Sequence, residues 1–154
     1  MMVTCGVATL RLLLRASPDT KPAGDPWSQQ ELMEPDRLAE RLAAKEKLTI
    51  LYVGFPVLYR AGHIPGAAMA GPGSKPEGME LLKEAIQDLD RNKEVILYCG
   101  CCPLVQCPNI RPAYSALKSS GFAKLRVVRI PTNLHTDWTA KGYPVSKGSG
   151  RTGG

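Results

Sequence analysis

Four of the five cysteines in this 154-residue sequence fall within nine positions, in the string Cys99-Gly-Cys-Cys-Pro-Leu-Val-Gln-Cys107. Exposed thiols oxidise readily, so a loop this dense in sulfur needs a chemical reason. Four chemistries use such a string. A thiolate nucleophile or sulfur relay needs one ionised sulfur with others in reach. A redox dithiol needs a spacing such as that of Cys99 and Cys102. A metal or iron–sulfur centre needs several thiolates on one ion, although zinc sites usually draw ligand pairs from two separated segments. A structural disulfide is the fourth, and the adjacent Cys101 and Cys102 would bond only under considerable strain. Cys5 stands apart, in an amino-terminal stretch read as lying outside the fold.

The elements around the string decide what those sulfurs meet. Val95-Ile-Leu-Tyr98 is a continuous apolar run with the look of a strand covered on both faces. About ten residues on, Ala113, Tyr114 and Leu117 mark one face of a helix, with Asn109 expected as its cap, Pro112 in its first turn and Gly121 as a left-handed stop. A strand–loop–helix of this kind is expected to aim backbone N–H groups, and the positive end of the helix, at the loop's centre. There they would favour an ionised Cys99, the first residue after the strand, and hold an anionic substrate. Arg111, near the helix start, would add a fixed, forked positive charge.

Further elements follow the same alternation. Pro35-Asp36 opens a helix carrying Leu38, Ala39 and Leu42, and Leu48 to Val53 reads as a second buried strand. Leu82, Ala85, Ile86 and Leu89 repeat as an amphipathic helix. Leu125 to Ile130 is a more amphipathic strand, and a last short helix holds Asp137 and Trp138 and ends near Gly142. Strands alternating with helices predict an α/β domain with a mostly parallel central sheet and helices on both faces. Ligands then bind beyond the carboxyl ends of the strands, where the cysteine string begins.

Length and composition fit one domain of ordinary globular character, 44% hydrophobic and 22% charged. Residues 1–24 read as a disordered segment, linker or export signal, 25–145 as the domain and 146–154 as a mobile tail. The stretch from Val7 to Leu14 is interrupted by Arg11 and lacks a positive start, so it is a degenerate signal at best. The location expected by default is the cytoplasm, with export as the alternative. No run approaches the ~18–20 apolar residues of a membrane span. The net charge of +6 suits a basic surface or a funnel for a small anion. A nucleic-acid partner is not expected, because the positive residues are scattered and aromatics are only 6%.

Two segments bring a family into view. Tyr59-Arg-Ala-Gly-His-Ile-Pro-Gly-Ala67 resembles the signature that follows the second strand of rhodanese domains. Val95 to Cys99, a loop, and a helix ending at Gly121-Phe122 resemble the rhodanese active-site segment, and Asp137-Trp138 with Gly142-Tyr-Pro-Val145 is similar to the domain's carboxyl end. The Cys-Pro pairs resemble a bacterial subgroup of single-domain rhodaneses. The resemblance spans roughly 25–145. It implies a sulfurtransferase that takes sulfane sulfur from a small anionic donor such as thiosulfate onto Cys99 as a persulfide and passes it to a thiol or cyanide. It implies no metal or organic cofactor. Gly100, Cys101, Cys102, Cys107, Asn109, Arg111 and Arg60 are the residues expected to form the loop and bind substrate.

The sequence departs from the pattern in three places. The loop is about five residues longer than usual. Tyr52 and Gly54 stand where the family has Asp and Arg, and Pro131-Thr132-Asn133 replaces a Gly-Gly pair. These departures also suit a non-catalytic binding module, and the string leaves a thiol redox or metal-binding protein open. His63 is read as structural, His135 as a surface residue or one facing the loop, and Trp138 as a core anchor.

Overall fold

The computed structural model of the protein describes residues 24–149. Its centre is a five-stranded sheet: β1 (Leu32–Met33), β2 (Thr49–Tyr52), β3 (Ala67–Met69), β4 (Glu94–Tyr98) and β5 (Lys124–Val128). The strands lie in the order β1-β5-β4-β2-β3, and every pairing is parallel. The helices between them are α1 (Pro35–Ala43), α2 (Pro56–Ala61), α3 (Pro76–Ile86), α4 (Ile110–Ser119) and α5 (Leu134–Asp137). Proline opens α1, α2 and α3, where its missing N–H costs the helix nothing. Gly121 closes α4 as expected, with the Phe122 N–H donating to the Leu117 carbonyl across the turn.

Successive side chains of a strand point to opposite faces, and this alternation builds two cores. Leu51, Val53, Val95, Leu97, Leu125 and Val127 pack against Leu82 and Ile86 of α3, and against Ile110, Ala113, Tyr114 and Leu117 of α4. Ile50, Tyr52, Ile96, Tyr98 and Val128 pack on the other side against Leu38 of α1, Tyr59 of α2 and Trp138. The sheet is therefore covered on both faces, as the strand–helix alternation predicts. Cys99 follows Val95 and Leu97 in phase, which places it on the α3/α4 side.

Three elements were not foreseen. β1 and β3 are two and three residues long, too short for any hydrophobic period to show. α2 occupies part of the Tyr59–Ala67 signature, which carries no helical repeat of its own. The helix expected to continue to Leu89 stops at Ile86, and the last strand ends at Val128 rather than Ile130. Among the described residues, no helix is long and apolar enough to cross a membrane. The segment 1–23, including Cys5, and the end of the tail lie outside the described residues.

Candidate functional site

β4 sits in the middle of the sheet, and Cys99 is the first residue past its carboxyl end. Cys99 is 5% exposed and its small accessible face is on the wall of a cavity of about 580 Å³. The same cavity is lined by Tyr52, Gly100 and Cys101 and by Asn133, Leu134, His135 and Lys147. Leu134, at the start of α5, donates its N–H to the Gly100 carbonyl and so fixes that part of the lining to the cysteine loop. Gly100 holds φ at +75°, and a Cβ there would come within 2.8 Å of Leu134.

The four sulfurs converge. Cys99 Sγ lies 3.1 Å from Cys101 Sγ, and Cys101 Sγ lies 3.2 Å from Cys102 Sγ. The Sγ atoms of Cys99, Cys101 and Cys107 are all within 4.8 Å of one another. None of the four cysteines is in a disulfide. Residues 104–106 form a 3-10 turn that brings Cys107 under the loop, with the Leu104 N–H donating to the Ile130 carbonyl at 2.8 Å. Cys107 is 1% exposed.

The charge distribution differs from the sequence expectation. The backbone N–H groups of Asn109 and Ile110, at the start of α4, point at Cys107 Sγ. Cys99 receives the N–H of Cys101 from the loop backbone. Three further amides of the loop are spent elsewhere: Leu104 donates to Ile130, Gln106 to Pro103, and Cys107 to Leu104. The helix dipole thus favours an anion on Cys107, not on Cys99. Hydrogen bonds from Cys101 and Cys99, joined by those two backbone donors, outweigh burial and bring the Cys107 thiol down to about 2. The contact with Cys101 lowers Cys99, but the contact with Cys107, burial and the Cys107 charge prevail and hold Cys99 up at about 12. Cys101 is raised by its contacts with Cys107 and Cys99 and by burial. Burial, aided by Cys101, pushes Cys102 up to about 12. Physically, a cluster this tight gives up its first proton easily and its second reluctantly, and that first charge belongs to the group of sulfurs.

Asn109 does not cap α4 with its side chain. It is fully buried instead, accepting from the Ser74 N–H at 3.0 Å. Its Nδ2 donates to Cys99 Sγ at 3.5 Å and to Cys101 Sγ at 3.8 Å. An amide buried against sulfur provides donor hydrogens without adding charge. Arg111 turns away from the thiols. It pairs with Asp25 at 2.5 Å and donates to the carbonyls of Leu104, Val105 and Cys107, so it braces the loop from outside. Arg60 is exposed on α2 and does not line the cavity. Neither arginine stands where a bound donor would meet it.

Tyr52 lines the cavity, and Gly54 lies behind it against Cys99. A Cβ at Gly54 would lie 2.5 Å from Tyr52 Oη and 2.9 Å from Cys99 Sγ, so only glycine leaves room for both. Burial, with the neighbouring sulfurs, raises the Tyr52 hydroxyl, which donates to the Phe55 carbonyl. His63 is buried and hydrogen-bonds the Tyr59 carbonyl through Nδ1 at 2.8 Å, the structural role expected of it. Trp138 is a core anchor whose Nε1 donates to the Pro144 carbonyl. Asp137 accepts from the N–H groups of Thr132 and Asn133, so the Pro131-Thr132-Asn133 turn is built on it. Lys147 was not anticipated at the site. It lies in the stretch read as a tail, and nothing in its sequence neighbourhood signals the cavity.

The model of the rhodanese-like domain family matches residues 34–129. The chain belongs to the rhodanese-like domain family. Among solved structures, the rhodanese-like domain of a protein from Anabaena is 24% identical, with a TM-score of 0.57 over 76% of this chain and 79% of that one. A protein from Bacillus halodurans is 19% identical, with a TM-score of 0.59 over 79% of this chain and 80% of its own. A thiosulfate sulfurtransferase from Pseudomonas aeruginosa is 24% identical, with a TM-score of 0.55 over 79% of this chain but only 21% of that protein. No curated protein matches. At these identities the solved structures show the shared fold, and this rhodanese-like domain's own chemistry rests on its own residues.

Proposed function

We propose that this rhodanese-like domain is a sulfurtransferase in which Cys99 carries the sulfur. The observation that supports this most directly is the position of Cys99: it follows the central strand and opens onto a cavity whose lining includes Asn133, His135 and Lys147. A small anionic donor such as thiosulfate is the substrate class this lining suits. The Cys99 thiolate attacks the outer sulfur of thiosulfate, the S–S bond of the donor breaks, and sulfite leaves with the bonding pair. The persulfide on Cys99 then yields its terminal sulfur to cyanide or a thiol, which restores the Cys99 thiolate. The Cys101 N–H and Asn109 Nδ2 supply donors to the sulfur that carries the charge. In the resting cluster that charge is shared among the sulfurs and favoured on Cys107 by the start of α4, so Cys99 becomes the nucleophile when its proton passes to a neighbouring sulfur.

Intact mass before and after thiosulfate tests the reading. A gain of ~32 Da that a thiol reductant reverses, and that Cys99→Ser abolishes, is the expected result. Unchanged sulfite release in Cys99→Ser removes Cys99 from the role. A second reading, a redox dithiol, is favoured by the 3.1 Å separation of the Cys99 and Cys101 sulfurs. Its mark is a loss of ~2 Da on mild oxidation without any sulfur donor.

A further inference from the structure

We propose that Cys99, Cys101 and Cys107 form a three-coordinate site for a soft monovalent cation, copper(I), independent of sulfur transfer. The three Sγ atoms lie within 4.8 Å of one another, and the nearest pair is 3.1 Å apart. Thiolate bonds to a first-row cation of filled d shell are about 2.3 Å long, which sets the sulfurs of a planar trigonal site roughly 4 Å apart. The 3.1 Å pair and the 4.8 Å limit on the others leave each sulfur within about an ångström of that value, so small side-chain shifts close the site.

The surroundings suit anionic sulfur. Asn109 Nδ2 faces both Cys99 and Cys101, and the N–H groups of Asn109 and Ile110 face Cys107. The Cys101 N–H faces Cys99. Each ligand therefore has an outer donor that fixes its orientation and spreads its charge, the arrangement found around thiolate metal sites. Asn109 is itself held by the Ser74 N–H, so its amide is preset rather than recruited. The cation arrives through the cavity, where Cys99 and Cys101 are accessible, and displaces their protons to solvent.

Coordination number selects the metal. Among the described residues no histidine or carboxylate joins the three sulfurs, and Cys102, beside Cys101, falls outside the group. Zinc takes four ligands in structural sites. Thiolate ligands alone select copper(I), zinc or iron–sulfur clusters; an iron–sulfur cluster takes four cysteines, zinc would need a water as its fourth ligand, and three sulfurs by themselves complete a trigonal copper(I) site.

The test is anaerobic titration of the reduced full chain, carrying Cys5→Ser, with copper(I) against a chromophoric copper(I) chelator, together with X-ray absorption of the loaded protein. One copper per chain with three sulfur scatterers near 2.3 Å is expected. Cys101→Ser, at a half-exposed position, and Cys107→Ser should each weaken binding at least 100-fold, and Asn109→Ala on the order of 10–100-fold. Cys102→Ser should leave it unchanged. Loss of binding in Cys102→Ser, four sulfur scatterers, or preference for zinc over copper(I) at equal chelator strength overturns the proposal. The sulfur-transfer reading fails separately: copper binding without any thiosulfate-dependent mass gain sinks that reading alone, and a mass gain without copper binding sinks this one.

Discussion

Replacing Cys107 by Ser removes the sulfur on which the cluster's charge rests and should make Cys99 more reactive at neutral pH, not less. In the native protein the Cys107 anion and burial hold the Cys99 thiol up at about 12, against an ordinary value of 9.0. The ionised fraction of Cys99 at pH 7.5 changes tenfold for each unit the pKa falls. Full relief would multiply the fraction by about 1,000, on the order of 4 kcal/mol. Cys99 stays buried in the variant, and burial keeps part of the elevation, so a rise of roughly 10- to 100-fold is the working expectation. The assay is the rate of iodoacetamide alkylation of Cys99 between pH 6 and 10, read by peptide mass in a Cys101→Ser, Cys102→Ser background so that only Cys99 and Cys107 vary. Ser in place of Cys107 retains a small side chain that the Asn109 and Ile110 N–H groups can still meet. A Cys99 rate that falls, or does not change, would refute the reasoning. It would mean that Cys107 serves Cys99 by accepting its proton more than it hinders Cys99 by its charge.

Three other substitutions probe the frame of the site. Gly54→Ala drives a methyl group into Tyr52 Oη and Cys99 Sγ, and should cost about 1–3 kcal/mol in urea unfolding while slowing Cys99 alkylation. Tyr98→Phe removes the hydroxyl that accepts the buried Ile64 N–H at 2.9 Å, leaving that donor unpaired at a cost of about 1–3 kcal/mol; an unchanged midpoint would show that another acceptor replaces it. Glu31 is raised by burial but lowered more by the Ser28 N–H, the Tyr114 hydroxyl and Lys118, to about 2. A carboxylate held down in this way stabilises the fold above its unfolded value near 4.5 and loses that contribution as pH falls towards 2. Glu31→Gln should therefore lower the Tm at pH 7 and lower it much less at pH 2, where most of that contribution is lost.

Where Cys99 sits was legible in the sequence, because the apolar run Val95 to Tyr98 announces a buried strand and such strands deliver ligands at their carboxyl ends. What its sulfur meets was not. The same reasoning aims the start of α4 at the first cysteine after the strand, which holds when the loop is short. Here the loop carries the extra 3-10 turn at residues 104–106, pinned by the Ile130 carbonyl, and that turn inserts a second cysteine between Cys99 and the helix. Cys107 captures the dipole because it is two residues from Asn109. Arg111 was misplaced for a related reason: its partner Asp25 lies 86 positions upstream, a contact no local pattern contains. Asn109 has the residue type and the position of a cap, yet a buried sulfur pair and the Ser74 N–H compete for its two ends and take both. Short-range rules located the elements here, and long-range partners decided which way the polar side chains turned.

The same competition bears on how a donor would be recognised. With Tyr52 in the lining, and with Arg60 and Arg111 directed elsewhere, Lys147 is, among the described residues, the one lysine or arginine lining the cavity. It is an exposed side chain, so its attraction for a dianion is screened and should amount to about 1 kcal/mol, or roughly a 5- to 10-fold effect on affinity. Lys147→Ala should then raise the half-saturating thiosulfate concentration by that factor at low ionic strength and leave turnover at saturation unchanged, because the lysine meets the donor before and after sulfur leaves. The difference should fade towards 1 M salt, where the screening length shrinks to about 3 Å. A Lys147→Ala protein with unaltered thiosulfate dependence at low salt would place the anion outside this cavity. Sulfur transfer at Cys99 would then need another route to its donor.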